Sequence, residues 1–128
     1  MVIEYWIEHE TRLFEMDCSL AIRKIQTAKD MKQVKLASQV YAPHAVRYLQ
    51  HTLSEYKRMC SMAENKMEEL GQAQIKHLES SKSKEEFLKE IGRLKYNDWQ
   101  NLRGEYAHIY RKLDRMAESL IYKKFDTK

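Results

Sequence analysis

Two carboxylates on a predicted apolar helix face are the first residues whose position suggests chemistry. Asp98 and Glu105 are seven residues apart and flank Leu102 on that face. A buried carboxylate is costly unless it is paired. Either the acids lie at the edge of the apolar face, or they pair with Arg23 or Lys24 of the first helix and fix the helix register. The alternative is that one of them serves as a functional acid. We favour a structural role, at the edge or in a pair, over the functional acid.

Two histidines offer a second kind of chemistry, because imidazole and carboxylate groups together bind metal ions. If the first helix is continuous and folds back at residues 42–43, His9 and His77 converge at one end of the bundle, close to Glu10 and Glu90. The favoured interpretation is that both histidines are amphipathic side chains at a solvated helix end. We therefore expect no metal and no cofactor.

A short motif near the end of the chain spaces an arginine, a histidine and a tyrosine as R-x4-H-x-Y. The three residues are Arg103, His108 and Tyr110. This motif resembles that of HEPN-domain toxin ribonucleases, which are small helical proteins. The resemblance implies that Arg103 and His108 cleave RNA at a dimer interface, with Tyr110 in support. Gly104 departs from the polar residue common there, and on a straight helix Arg103 and His108 point about 140° apart.

Aromatic side chains lie at the margin of the last predicted helix, beside its apolar face. Such residues are enriched where proteins bind one another. We expect this margin to contact a protein partner or a second copy of the chain. The predicted interaction residues are Trp99, Tyr106, Tyr110, Tyr122 and Phe125.

The composition favours a single all-α domain over residues 1–128. One proline and three glycines in 128 residues leave few turn formers, while helix-forming residues are abundant. The net charge of +4 is a weak sign of nucleic-acid binding, because 19 acidic residues are interspersed among 23 basic ones. Basic residues within 23–35 and 111–124 keep nucleic-acid binding as a weaker alternative.

Hydrophobic periodicity predicts an antiparallel bundle of three long helices, at about 2–41, 43–79 and 84–125. Pro43 separates the first two helices, and Ser83 with Glu86 forms a capping box that starts the third. The apolar face of the first helix changes sides after Ala28. This leaves two alternatives: one helix that changes partners, or a break near 29–30 that yields four helices.

The positions of the cysteines and the hydropathy of the chain indicate the cellular compartment. Cys18 and Cys60 both fall on apolar faces, which favours buried free thiols in a reducing compartment. The first residues do not resemble a signal peptide, and no stretch approaches the length of a membrane span. We expect a cytoplasmic protein that does not enter the membrane.

The function predicted from these patterns is a non-enzymatic helical interaction module. It would be an adaptor, a chaperone-like protein or a regulator that works through its helix faces. The main alternative is the HEPN-like endoribonuclease, with Arg103, His108 and Tyr110 in its site. RNA degradation that is lost on His108→Ala would establish the enzyme, whereas a stable complex with one host protein would support the module.

Overall fold

The computed structural model describes residues 2–126, and over this range the chain is helical with no strand. The all-α prediction is confirmed for these residues. Two 3-10 turns, Gln50–Thr52 and Trp99–Leu102, interrupt the helices, and a π-helical turn, Tyr122–Asp126, follows the last one. The α-helices are α1 Val2–Gln26, α2 Met31–Ala37, α3 His44–Arg47, α4 Ser54–Leu78, α5 Lys84–Asn97 and α6 Ala107–Ile121.

The first predicted helix is broken, as one of its two alternatives proposed. α1 ends at Gln26 and α2 begins at Met31. The side chain of Gln33 reaches back across the break, where its Oε1 accepts a 2.7 Å hydrogen bond from the backbone N–H of Lys29. This bond satisfies a donor that a continuous helix would have paired internally.

The prediction of one second helix at 43–79 is wrong in its first third. α3 starts directly after Pro43 but ends at Arg47, and α4 begins only at Ser54. In between, the hydroxyl of Thr52 donates a 2.6 Å hydrogen bond to the carbonyl of Leu49. Such local bonds offer the backbone an alternative to the helix. Apolar residues continue at helical spacing through the interruption, so periodicity does not reveal it.

The prediction of one continuous third helix at 84–125 is also wrong. Its start is correct: the backbone N–H of Glu86 donates to Ser83 Oγ at 3.1 Å, as the capping box requires. α5 then ends at Asn97, and α6 starts at Ala107. Between them the backbone of Gly104 has a φ of +81°, a left-handed conformation that glycine adopts without strain.

The described residues form two compact units. The first comprises 2–29 with 33–66, and the second comprises 30–32 with 67–126. The long helix α4 contributes its first half to one unit and its last turns to the other. The sequence-based expectation that residues 1–128 form a single domain stays a prediction.

In the first unit, α1 packs against the first half of α4, and the two run in the same direction. The rings of Phe14 and Tyr56 are 5.8 Å apart, and Ser19 Oγ donates a 2.8 Å hydrogen bond to Glu55. Further along both helices, Lys66 Nζ donates to the carbonyl of Gln26 at 3.3 Å. The buried side chains of this unit include Phe14, Cys18, Ala21, Ile22, Ile25, Val34, Val46, Met59 and Ala63.

In the second unit, the end of α4, α5 and α6 run up, down and up. Lys112 and Lys124 of the α6 segment bond to Glu68 and Glu79 of the α4 segment, so these two run parallel. α5 runs against both of them, because Lys95 pairs with Asp114 and Phe87 with Phe125. The buried side chains of this unit include Ile75, Leu78, Phe87, Leu94, Trp99, Leu102, Tyr106, Ile109, Leu113 and Ala117.

Candidate functional site

The most prominent surface feature of the first unit is a second apolar face on α1. The buried face of α1, which includes Phe14 and Cys18, was predicted from the sequence. The solvent-facing one was not. Along this second face Trp6 is 50% exposed, Leu13 43%, Met16 61% and Leu20 54%.

The spacing of this second face is that of a coiled-coil seam. Trp6, Leu13 and Leu20 are separated by seven residues each, which corresponds to heptad position a. Met16 lies three residues after Leu13, at position d, and His9 takes the preceding d position. α1 is therefore apolar on two opposite sides, and one of them faces solvent. The heptad spacing in the sequence reveals that α1 has a second apolar face, but only the structure shows that this face is exposed.

The residues of the R-x4-H-x-Y motif lie at the break between α5 and α6. Arg103 is exposed and has extended backbone angles (φ −65°, ψ 146°), while His108 is the second residue of α6 and is also exposed. Tyr110 is half-buried, with its ring edge-on to Trp99 at 6.1 Å. The break places the histidine at a helix start, whereas the sequence predicted it in the middle of a helix.

An open cavity of about 560 Å³ lies beside this break, entirely within the second unit. Arg103 and Tyr110 line it, but His108 does not. Three of its lining side chains are cations, two are tyrosines and none is a carboxylate. The lining residues are Gly92, Lys95, Tyr96, Leu102, Arg103, Gly104, Ala107, Tyr110 and Arg111.

One cation of this cavity is held by a carboxylate outside it. Lys95 Nζ lies 2.7 Å from Asp114 Oδ1. The hydrogen bond that Lys95 donates to Asp114 raises the pKa of Lys95 above its ordinary value, so the ammonium stays charged at neutral pH. Within residues 2–126, by contrast, the side chains of Arg103 and Arg111 have neither an ion pair nor a hydrogen bond.

The predicted interaction residues occupy different environments. Trp99 is fully buried, and its Nε1–H donates a 2.7 Å hydrogen bond to Gln74 Oε1. Tyr106 is buried too. Phe125 is half-buried against Phe87, with ring centroids 5.9 Å apart, and Tyr122 is exposed. Of this set, Tyr122 presents the largest aromatic surface to solvent, and its role in binding stays a prediction.

The two carboxylates predicted on one face separate in the structure. Asp98 is half-buried at the end of α5 and accepts a hydrogen bond from Gln74 Nε2 of α4, not from the first helix. Gln74 thus joins Asp98 and Trp99 across the helix pair. Glu105 is exposed in the break, because the helix expected to carry it inward ends at Asn97.

The thiol of Cys18 is sealed in the first unit. Its side chain is fully buried, and burial, reinforced by neighbouring negative groups, raises its pKa to about 11. Cys60 is half-buried, and neither cysteine forms a disulfide.

Among residues 2–126 no three histidine, cysteine or carboxylate side chains are close enough to hold a metal ion. None of the described helices combines the length and apolar character needed to cross a membrane.

Comparison with protein families, curated proteins and solved structures finds no match for this chain.

Proposed function

We propose that this protein is a helical interaction module and that the solvent-facing seam of α1 is its binding surface. The observation behind the proposal is the exposure of Trp6, Leu13, Met16 and Leu20 at heptad spacing on a helix whose opposite face is already buried. Exposed apolar side chains that form a continuous row mark interaction surfaces. Because α1 is held in its unit, little helix-ordering entropy opposes binding.

The charges beside the seam favour a second copy of the same chain as the partner. In a parallel pair, position g of one helix faces position e of the other, five residues further on. Arg12 takes position g and Asp17 the following e, so each Arg12 faces Asp17 of the second copy. An antiparallel pair that stacked Leu13 on Met16 would instead bring Glu10 next to Asp17. We therefore propose a parallel α1–α1 dimer, in the cytoplasm as the sequence suggested.

Sedimentation equilibrium tests this dimer with a matched pair of leucine variants. Leu13 is 43% exposed in the seam, and Leu88, on α5, is 53% exposed outside it. We expect wild type and Leu88→Glu to sediment with twice the 15.4 kDa mass of one chain, and Leu13→Glu with that mass. A monomeric wild type, or equal loss of the dimer in both variants, would refute the seam as the dimer interface.

A charge-reversal series tests the parallel orientation. Arg12→Asp places two acids opposite each other, and we expect it to weaken association several-fold at low salt. Adding Asp17→Arg recreates the pair with its signs exchanged and should restore association. An unchanged dissociation constant in the single variant would exclude the parallel arrangement.

RNA cleavage is the second candidate function, and one observation favours it. The break at Gly104 puts Arg103 in extended backbone and His108 at the start of α6, so the two residues do not share the straight helix on which they would point about 140° apart. Its test is degradation of single-stranded RNA by the purified protein. We expect His108→Ala to abolish cleavage and His44→Ala, which alters an exposed histidine of the first unit, to leave it intact. The absence of cleavage by wild type would remove this candidate.

A further inference from the structure

We propose that the cavity between α5 and α6 binds a nucleoside monophosphate. Its volume of about 560 Å³ lies within the range of roughly 300–1,000 Å³ typical of small-molecule sites. The inference does not depend on the α1 seam, which belongs to the other unit.

The cationic side chains of the cavity suit a phosphate group. Arg103 and Arg111 are exposed guanidinium groups without a partner side chain in the described chain, so they need not break an ion pair to bind an anion. A guanidinium binds phosphate through two parallel N–H donors. Ala107, the first residue of α6, also lines the cavity, so the positive end of this helix dipole lies beside it.

The tyrosines of the cavity suit an aromatic base. Tyr96 is 79% exposed, and Tyr110 is held in place by its edge-on contact with Trp99. Stacking on aromatic side chains is how proteins hold unpaired bases without reading their sequence. A ligand with an aromatic ring and a phosphate engages both sets of side chains, whereas inorganic phosphate or a nucleoside engages only one.

Part of the cavity lining is made of small residues, and Gly92 is one of them. Gly92 lies in the middle of α5, and a Cβ atom added there has no heavy atom within 4 Å. A larger side chain at position 92 therefore begins in open space and occupies part of the cavity. This gives a variant that obstructs the site while replacing a glycine that weakens the helix.

Isothermal titration calorimetry of the full chain with adenosine 5′-monophosphate tests the proposal. We expect the wild-type protein to bind adenosine 5′-monophosphate saturably, and to bind adenosine and inorganic phosphate at least tenfold more weakly. Arg103→Gln and Arg111→Gln should each weaken binding of the monophosphate tenfold or more. Arg115→Gln, on the same helix but outside the cavity, serves as the control and should bind as wild type does. Gly92→Leu should retain its helicity by circular dichroism and lose binding.

Three results would overturn the proposal: no binding of the monophosphate by wild type, equal weakening by Arg115→Gln, or undiminished binding by folded Gly92→Leu. Binding without RNA cleavage would support this site and exclude the ribonuclease candidate. A monomeric protein that still binds the monophosphate would refute the α1 dimer alone.

Discussion

The same substitution in two helices, glycine to alanine, should change stability in opposite directions. Gly71 is buried in α4, and a Cβ atom built on it would lie 2.3 Å from Cδ1 of the fully buried Leu113. Gly92 is exposed in α5, and a Cβ atom there meets nothing within 4 Å. Both positions lie inside a helix of the second unit, so the helix-propensity gain is common to both.

The magnitudes follow from two terms. Alanine is favoured over glycine in a helix interior by about 1 kcal/mol. Overpacking a core by one methyl group costs about 1–3 kcal/mol, because the neighbouring side chain must leave its rotamer or shift. Gly92→Ala should therefore raise the free energy of unfolding by about 1 kcal/mol. Gly71→Ala should lower it by about 1 kcal/mol, within a range of roughly 0–2.

Urea unfolding followed by tryptophan fluorescence measures both values. The chain has two tryptophans, Trp6 and Trp99, so a Trp6→Phe background leaves the buried Trp99 as the reporter for the second unit. The shift in the midpoint at constant m-value gives the change in stability. If Gly71→Ala stabilised the protein as much as Gly92→Ala does, the close approach of α4 and α6 at Leu113 would be wrong.

Three further predictions use single side chains. The hydroxyl of Thr11 is buried without a hydrogen-bond partner among the described residues, so Thr11→Val should stabilise the protein by about 1 kcal/mol in thermal unfolding. Thr27→Val is the control: it removes the hydrogen bonds from the Thr27 hydroxyl to the carbonyls of Arg23 and Lys24, so it should not raise the stability of the protein. With a pKa of about 11, the thiol of Cys18 is almost entirely protonated at pH 8. Iodoacetamide should therefore modify Cys60 well before Cys18 at this pH. The rate of Cys18 modification should increase as the pH rises toward 11. Equal rates at pH 8, measured by mass spectrometry, would contradict the buried position of Cys18. Gly104→Ala should cost about 1–2 kcal/mol by urea unfolding, since its φ is +81° and L-residues are strained there.

The parts of the fold that could be predicted carry local chemical signals. Pro43 preceded a helix as expected, and the Ser83–Glu86 capping box marked the start of α5 correctly. The break after α1 was signalled by the change of apolar face, and in the structure the side chain of Gln33 closes the turn there. Each of these signals depends on the bonding or geometry of a few adjacent residues.

The missed interruption of the third helix had no such signal except one glycine. Trp99, Leu102 and Tyr106 all point into the core from the interrupted segment, so the apolar pattern continues as it would in a helix. Gly104 could equally have been a weak point within a helix, because sequence alone does not give its φ angle. The cavity beside the break was unpredictable for the same reason, since it exists only if the helix ends.

The exposed apolar face of α1 was missed for a different reason. Leu13 and Leu20 are of the same residue types that fill a core, so composition does not separate a face that is buried within the chain from one that is exposed. Only the folded unit shows which side of α1 is already covered. Trp99 shows the opposite error: the sequence predicted it at an interaction surface, but the side chain is buried in the core and bonded to Gln74.

Disulfide trapping at position 16 tests the proposed α1 dimer most directly. Met16 is 61% exposed at a d position, where the two copies of a parallel pair face each other at a distance that a disulfide can span. In a Cys60→Ser background, mild oxidation of Met16→Cys should give a covalent dimer. Lys89→Cys, at an exposed position on α5, should stay monomeric. A Met16→Cys chain that stays monomeric, or that cross-links no faster than Lys89→Cys, would contradict the dimer.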